Sequence, residues 1–327
     1  MKSRIIYGPI LSRRLGRSLG IDVIKRKDSK KNCNFDCVYC QLGHVDNMVK
    51  APENVTGAVT TKEVVEGIRS FHRNIENLDY ITFSGTCEPT LNLSLGSMIL
   101  GVKQITDQSV CVLTNSSLVD RDDVRSNLAE ADLVIATLVS GNEDTFRAIH
   151  RPVEGIRLNN IIKGLQAMKD LEKCPRLGIE VMLVDSTNGY LVNSTDEEIT
   201  KLIEVIKTID PDEIEILTVS RPSAEKFIVP VAEIRLKEIA HRFGAELGRD
   251  RVKLVLKGLR RERSSMQHEN LGEEVYDLIL RRPCTCEQIC ASLGISSAQL
   301  TPILEKLISS DDIISIVSKN GRYYKAS

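Results

Sequence analysis

The stretch Cys33-Asn34-Phe35-Asp36-Cys37-Val38-Tyr39-Cys40 places three thiols four and then three positions apart on one short loop. Thiolates gathered this closely can hold an iron–sulfur cluster, and a cubane of four irons normally takes four protein thiolates. With three, one iron stays open to a small molecule, so the loop reads as a catalytic centre more naturally than as a closed structural site. Zinc is the alternative. Cys37, Cys40 and His44 have a short ligand spacing, and Cys33 could complete a tetrahedral set, although structural zinc sites usually draw on two separated pairs.

Other residues carry two readings each. Glu88, before Pro89, could cap a following helix or receive a cationic group; Asn115 and Ser116 could form an ordinary turn or a ligand contact. Arg151 precedes Pro152, which predicts extended backbone and a side chain free to reach inward, with a surface ion pair as the duller option. Arg221 has the same status, and both guanidinium groups suit a carboxylate or phosphate. Cys111 lies in an apolar run and reads as a small core residue. Cys284, Cys286 and Cys290 could hold a second cluster or belong to a helical core. His72, His241 and His268 have no evident partner and are assigned to helix or surface.

These residues need a scaffold. A chain of 327 residues with 42% hydrophobic and 27% charged content can build a large core, one big domain with a small one beside it. No apolar run approaches ~18 residues and no secretory leader is evident, so a soluble cytoplasmic protein without membrane partners is expected. Nine cysteines in that setting point to reduced thiols and metal chemistry. Apolar runs at 18–24, 79–84, 110–114, 132–138, 177–184 and 213–219 alternate with amphipathic stretches at 61–77, 93–106, 121–130, 158–171, 196–209 and 231–243. Such repetition predicts parallel βαβ units closing into a barrel or part of one. Chemistry gathers at the carboxyl ends of barrel strands, where the cysteine loop, Ser84-Gly85-Thr86-Cys87-Glu88, Asn115-Ser116, Ser140-Gly141 and Ser220-Arg221 fall.

After about residue 271 the pattern changes to three short helices and a hairpin with an Asn320-Gly321 turn, which predicts a winged helix-turn-helix over 271–327. The barrel domain is then 1–260 and the linker 261–270. The small domain's acidic residues outnumber its basic ones and its third helix, the candidate recognition helix, carries a lone Lys306, so DNA binding is not favoured and substrate positioning or protein contact is. Net charge is −1 overall, yet Lys2, Arg4, Arg13, Arg14, Arg17, Lys25, Arg26, Lys27, Lys30 and Lys31 make a basic leader. A second basic run spans 251–263, and two such runs suggest a polyanionic partner.

The cysteine spacing, with Tyr39 before the last thiol, resembles the cluster signature of the radical S-adenosylmethionine (SAM) superfamily. The turn Gly85-Thr86-Cys87-Glu88-Pro89-Thr90 is similar to that family's glycine-rich segment, with Cys87 where glycine is commoner. Gly8-Pro9, the run 12–20, Cys40-Gln41-Leu42-Gly43, the run 146–152 and Val219-Ser220-Arg221-Pro222 resemble the wyosine-synthesising group of tRNA-modifying enzymes and its microbial relatives. The resemblance implies an α/β fold, a partial (β/α)6 TIM-like barrel of the radical SAM type. It implies that Cys33, Cys37 and Cys40 hold a 4Fe-4S cluster, and that SAM binds its open iron. Tyr39, Gly85, Thr86, Glu88, Asn115, Ser140, Arg151 and Arg221 are then the cofactor-binding candidates, with Ser140 toward the ribose or methionine part. Reductive cleavage of SAM would need an external electron donor and release a 5′-deoxyadenosyl radical. The expected substrate is a macromolecule such as tRNA; a protein or peptide substrate and a non-enzymatic cluster-sensing regulator are the alternatives.

Overall fold

The computed structural model describes residues 5–25, 31–71, 77–189, 191–256, 268, 270–318 and 321–327. Strands β1 (Ile6–Ser12) and β2 (Gly16–Ile21) form an antiparallel hairpin, and β2 begins a parallel series. The series continues through α1 (Thr61–Arg69), β3 (Tyr80–Phe83), α2 (Leu95–Lys103), β4 (Val110–Thr114), α3 (Asp122–Leu128) and β5 (Leu133–Thr137). Next come α4 (Glu143–His150), α5 (Leu158–Lys169), β6 (Arg176–Leu183), the short β7 (Asp185–Ser186), α6 (Asp196–Ile209) and β8 (Glu213–Thr218). The short β9 (Ile228–Val229), α7 (Glu233–Leu247) and β10 (Val252–Leu254) complete the large unit.

One eight-stranded sheet runs β1-β2-β3-β4-β5-β6-β8-β10, parallel throughout except for β1. Strands covered on both faces must be apolar almost continuously, and β5 obeys this, with Leu133, Val134, Ile135 and Ala136 all buried. Cys111 belongs to the same layer and is fully buried in β4. The helices start on local signals. Thr60 and Glu63 make a capping box at α1, while Thr195 caps α6 with Asp196, Glu197 and Glu198 in its first turn.

The six predicted parallel strands lie where the apolar runs are, and α6 spans the predicted residues. Helix α4 lies outside the predicted helical stretches: Asn142 caps it, and Phe146, Ile149 and His150 are buried on one side. Among the leader's described charges, Arg14 turns inward from the β1–β2 hairpin to Glu180 and, at 3.2 Å, Glu215, and Lys31 is buried, whereas Arg13 and Lys25 are exposed. Lys2, Arg4, Arg26, Lys27 and Lys30 fall outside the described residues, as do His72, most of the 261–270 linker and Lys257, Arg260, Arg261 and Arg263 of the second run.

Helices α8 (Leu271–Arg281), α9 (Cys286–Leu293) and α10 (Ser297–Ser309) precede an antiparallel pair, β11 (Ile313–Ser318) and β12 (Gly321–Ala326). They enclose their own core, which includes Val275, Leu278, Ile289, Leu293, Leu300 and Leu304, and Ile10 of β1 packs against it. Cys284 is buried here, while Cys286 and Cys290 pack at its edge. His268 is not the partnerless surface residue expected, since its Nδ1 lies 2.7 Å from the Glu274 carboxylate. His241 is exposed on α7. Among the described residues no helix is long and apolar enough to cross a membrane.

Candidate functional site

Backbone hydrogen bonds clamp the cysteine loop from two sides. The Glu88 N–H donates to Asn32 O at 3.2 Å on the β3 side, and Val38 N–H donates to Ile149 O at 2.9 Å on the α4 side. Val153 N–H adds a bond to Asn34 O at 3.0 Å. Beneath the loop Phe35 is fully buried, stacked on His150 at 4.7 Å and edge-on to Phe146 at 5.8 Å. Tyr39 Oη lies 3.0 Å from His150 Nε2. Burial lowers the His150 pKa to about 3, so the ring supporting the loop is neutral.

Cys33, Cys37 and Cys40 line a cavity of about 750 Å3 at the carboxyl ends of the strands, together with Tyr39, Gly85, Thr86, Cys87, Glu88, Asn115 and Arg221. Asn115 Nδ2 and Phe35 N–H each donate to Cys33 Sγ at 3.5 Å. Burial, with Glu88 adding to it, pushes the Cys33 thiol up to about 12, and burial also pushes Cys37 well up. Burial opposes the Lys31 ammonium as well, but Cys40, Cys33 and Cys37 hold it above its usual value. This donor set suits an iron–sulfur group: soft sulfur ligands, N–H groups aimed at one of them, and burial that iron charge can offset where a proton otherwise would. Among the described residues no three His, Cys, Asp or Glu side chains gather as a single-ion site.

The glycine-rich turn is held by a residue that sequence reasoning passed over. Gly85 has φ +122, and a Cβ there would lie 1.8 Å from Asp22 Oδ1. That oxygen accepts from Thr86 N–H at 2.7 Å, while Asp22 Oδ2 accepts from Arg281 Nε of α8 at 2.7 Å. Arg281 also donates to Asp277 Oδ1 at 3.0 Å and lies over the Tyr7 ring at 4.1 Å. The small C-terminal unit thus reaches the turn through one guanidinium. No local signal marks Asp22 or Arg281; only tertiary folding brings them together across 259 positions.

Glu88 fulfils its cap reading and stands in the cavity. Its Oε1 accepts from Thr90 N–H at 3.0 Å and from Thr114 Oγ1 at 2.7 Å, while Oε2 accepts from Asn115 N–H at 2.7 Å. Burial raises its pKa against these bonds. Two expected site residues are elsewhere. Ser140 is absent from the cavity wall; it is buried and donates to Glu198 Oε2 at 2.6 Å, which docks the β5 turn on α6. Arg151 is not extended. It takes φ 45, ψ 59 as the left-handed cap of α4, and its side chain turns outward to Glu225 at 2.6 Å, because helix termination overrides the proline's bias. Cys87 lines the cavity and pairs through its backbone with Asn32.

Residues 30–204 match the family described as the Radical SAM superfamily. The chain is 31% identical over 321 residues to a UPF0026 protein of Methanocaldococcus jannaschii, covering 98% of this chain and 95% of that protein. It is 30% identical over 313 residues to a protein named GTPase Obg from Brachyspira hyodysenteriae; that match covers 96% of this chain but spans only 44% of the other protein. A solved structure of TYW1 with a lysine-pyruvate adduct bound shares the fold, with TM-score 0.50 at 17% identity over 70% of this chain and 73% of that one. With three cysteines of one loop lining a cavity at the head of a parallel sheet and a family match over more than half its length, the chain belongs to the radical SAM superfamily.

Proposed function

We propose that this protein is a radical SAM enzyme that modifies a macromolecule, with tRNA the favoured substrate. The observation that carries this reading is the meeting of three cysteines, the Gly85-to-Glu88 turn and Asn115 on one cavity large enough for a cofactor and part of a substrate. Cys33, Cys37 and Cys40 would hold a 4Fe-4S cluster, and Gly85, Thr86, Glu88 and Asn115 would hold SAM. When bound, these groups supply a 5′-deoxyadenosyl radical, formed with an electron from an external donor.

The chain's own residues prepare the site. Gly85 lets backbone approach where a side chain would collide with Asp22. Glu88 accepts three donors from Thr90 and Thr114 at Oε1 and one from Asn115 at Oε2, so Oε2 keeps a lone pair that suits an ammonium group. Tyr39 and the neutral His150 hold the end of the cysteine loop. The C-terminal unit, residues 271–327, fits a winged helix-turn-helix with a positioning role. Arg281, Arg282, Thr285 and Gln288 extend the cavity wall, which supports a cover that excludes water and orients substrate.

Anaerobically reconstituted protein given dithionite and SAM should release 5′-deoxyadenosine, and Cys37→Ala should lose both that product and the iron–sulfur absorbance. An intact cluster without 5′-deoxyadenosine would sink the enzyme reading, and zinc in the metal analysis would replace the cluster. Comparing modified nucleosides and peptides from cells with and without the gene separates tRNA from a polypeptide substrate.

A further inference from the structure

Arg13, Arg221 and Arg282 all line the cavity. They come from the β1–β2 turn, the end of β8 and the segment between α8 and α9. All three gather around Ser220-Arg221 and the last turn of α8. Arg13 donates to Ser220 Oγ at 3.0 Å, Arg221 Nε donates to Pro283 O at 3.0 Å, and Arg282 donates to Ser292 Oγ at 3.2 Å. Tyr323 Oη bonds Ser220 O at 3.0 Å and completes the patch.

Neutral oxygens take up few of the guanidinium donors, and the buried Arg282 Nε has no partner. Among the described residues no ion pair joins any of the three to a carboxylate, although Arg14 beside them is paired twice. The cavity's own carboxylates are otherwise placed: Glu88 with Thr90, Thr114 and Asn115, Glu180 with Arg14, and Glu287 in the first turn of α9. Burial, reinforced by the Arg282 charge, lowers Arg221 to about 10, as expected for like charges crowded together. Such an arrangement is favourable when an anion shared among the three offsets the repulsion.

We propose that Arg13, Arg221 and Arg282 form a phosphate-binding subsite, built across the seam between barrel and C-terminal unit, that receives a phosphate ester of the substrate. This rests on the radical SAM reading above. The subsite is distinct from the SAM turns. In the sheet β8 stands three strands from β4, roughly 14 Å away at ~4.8 Å per strand. It still borders the cluster loop, because Arg221 reaches Gln41, the residue after Cys40, at 3.4 Å. A nucleotide anchored there by phosphate would extend its sugar or base toward the cysteines.

The test uses the reconstituted full chain with a fluorescein-labelled single-stranded RNA tetranucleotide, with AMP as competitor. Arg13→Gln and Arg282→Gln should each weaken RNA binding about 10-fold or more and reduce the slope of log affinity against log salt by about 0.7. Arg282→Lys should recover part of the loss. Lys237→Gln, an exposed charge on α7 paired with Glu233, should change neither quantity. Arg13 is exposed, so its variant carries the test if Arg282→Gln misfolds. Competition by AMP assigns the subsite to a free nucleotide, and resistance to AMP assigns it to a strand; both support it. Unchanged RNA affinity in both glutamine variants, or a loss confined to SAM binding, overturns it. The titration needs no SAM turnover, so a wild type that makes no 5′-deoxyadenosine tells against the enzyme reading alone.

Discussion

Replacing Arg281 with Met removes the cation that ties the C-terminal unit to the glycine-rich turn. Arg281, Asp22 and Asp277 have side chains only 1%, 5% and 6% exposed, with contacts of 2.7 and 3.0 Å. Arg281→Met keeps most of the volume but leaves two buried carboxylates without the cation they share. Breaking a buried pair by removing one partner costs roughly 3–5 kcal/mol, and loss of the Tyr7 contact adds on the order of 1 kcal/mol. Against a usual total of about 5–15 kcal/mol, that is a large share. The chain has no tryptophan, so urea unfolding is best followed by far-ultraviolet circular dichroism. Asp22→Asn should also destabilise, and the double variant should lose less than the sum, with a coupling of roughly 1–3 kcal/mol. SAM affinity should fall in Arg281→Met as well, because Asp22 also holds the Thr86 N–H. A destabilisation under about 1 kcal/mol, or strict additivity in the cycle, would refute this account of the seam.

Two further outcomes follow from the same geometry. Gly85→Ala forces a Cβ toward Asp22 Oδ1 at a residue with φ +122, so it should destabilise by about 1–3 kcal/mol and weaken SAM binding; equilibrium dialysis with labelled SAM and a melting curve check this, and wild-type values in both would count against it. His150 is neutral in the fold because burial takes its pKa from 6.5 to about 3, so between those values the unfolded chain binds the extra proton. Stability must therefore rise with pH across that window, by up to about 1.4 kcal/mol per unit, and level off above it. His150→Phe should flatten this slope in denaturant titrations; an unchanged slope would mean that the ring is charged in the fold.

Much of the barrel was legible because period and composition encode it locally. Strands such as β4 and β5 are continuous apolar runs since both faces are covered, and α6 begins at a threonine cap with three acidic residues behind it. The cysteine loop and the Gly85 turn were legible for the same reason, as short contiguous motifs. Side-chain destinations were not. Ser140 and Arg151 sit after a strand and before a proline as expected, yet one bonds Glu198 and the other caps α4. Ser140's destination depends on α6, packed from elsewhere in the chain, and Arg151's on the end of its own helix and on Glu225 across the fold.

Sequence by itself determined which residues could ligate a cluster, since Cys33, Cys37 and Cys40 lie within one loop and their spacing is covalent. It determined the alternation of strand and helix for the same local reason. Tertiary structure alone decided what else faces that loop. The Asp22–Arg281 contact spans 259 positions, and the Arg13, Arg221 and Arg282 patch draws on three separated segments. Ion pairs and charge clusters of this kind depend on distance in space and burial, neither of which leaves a periodic trace along the chain.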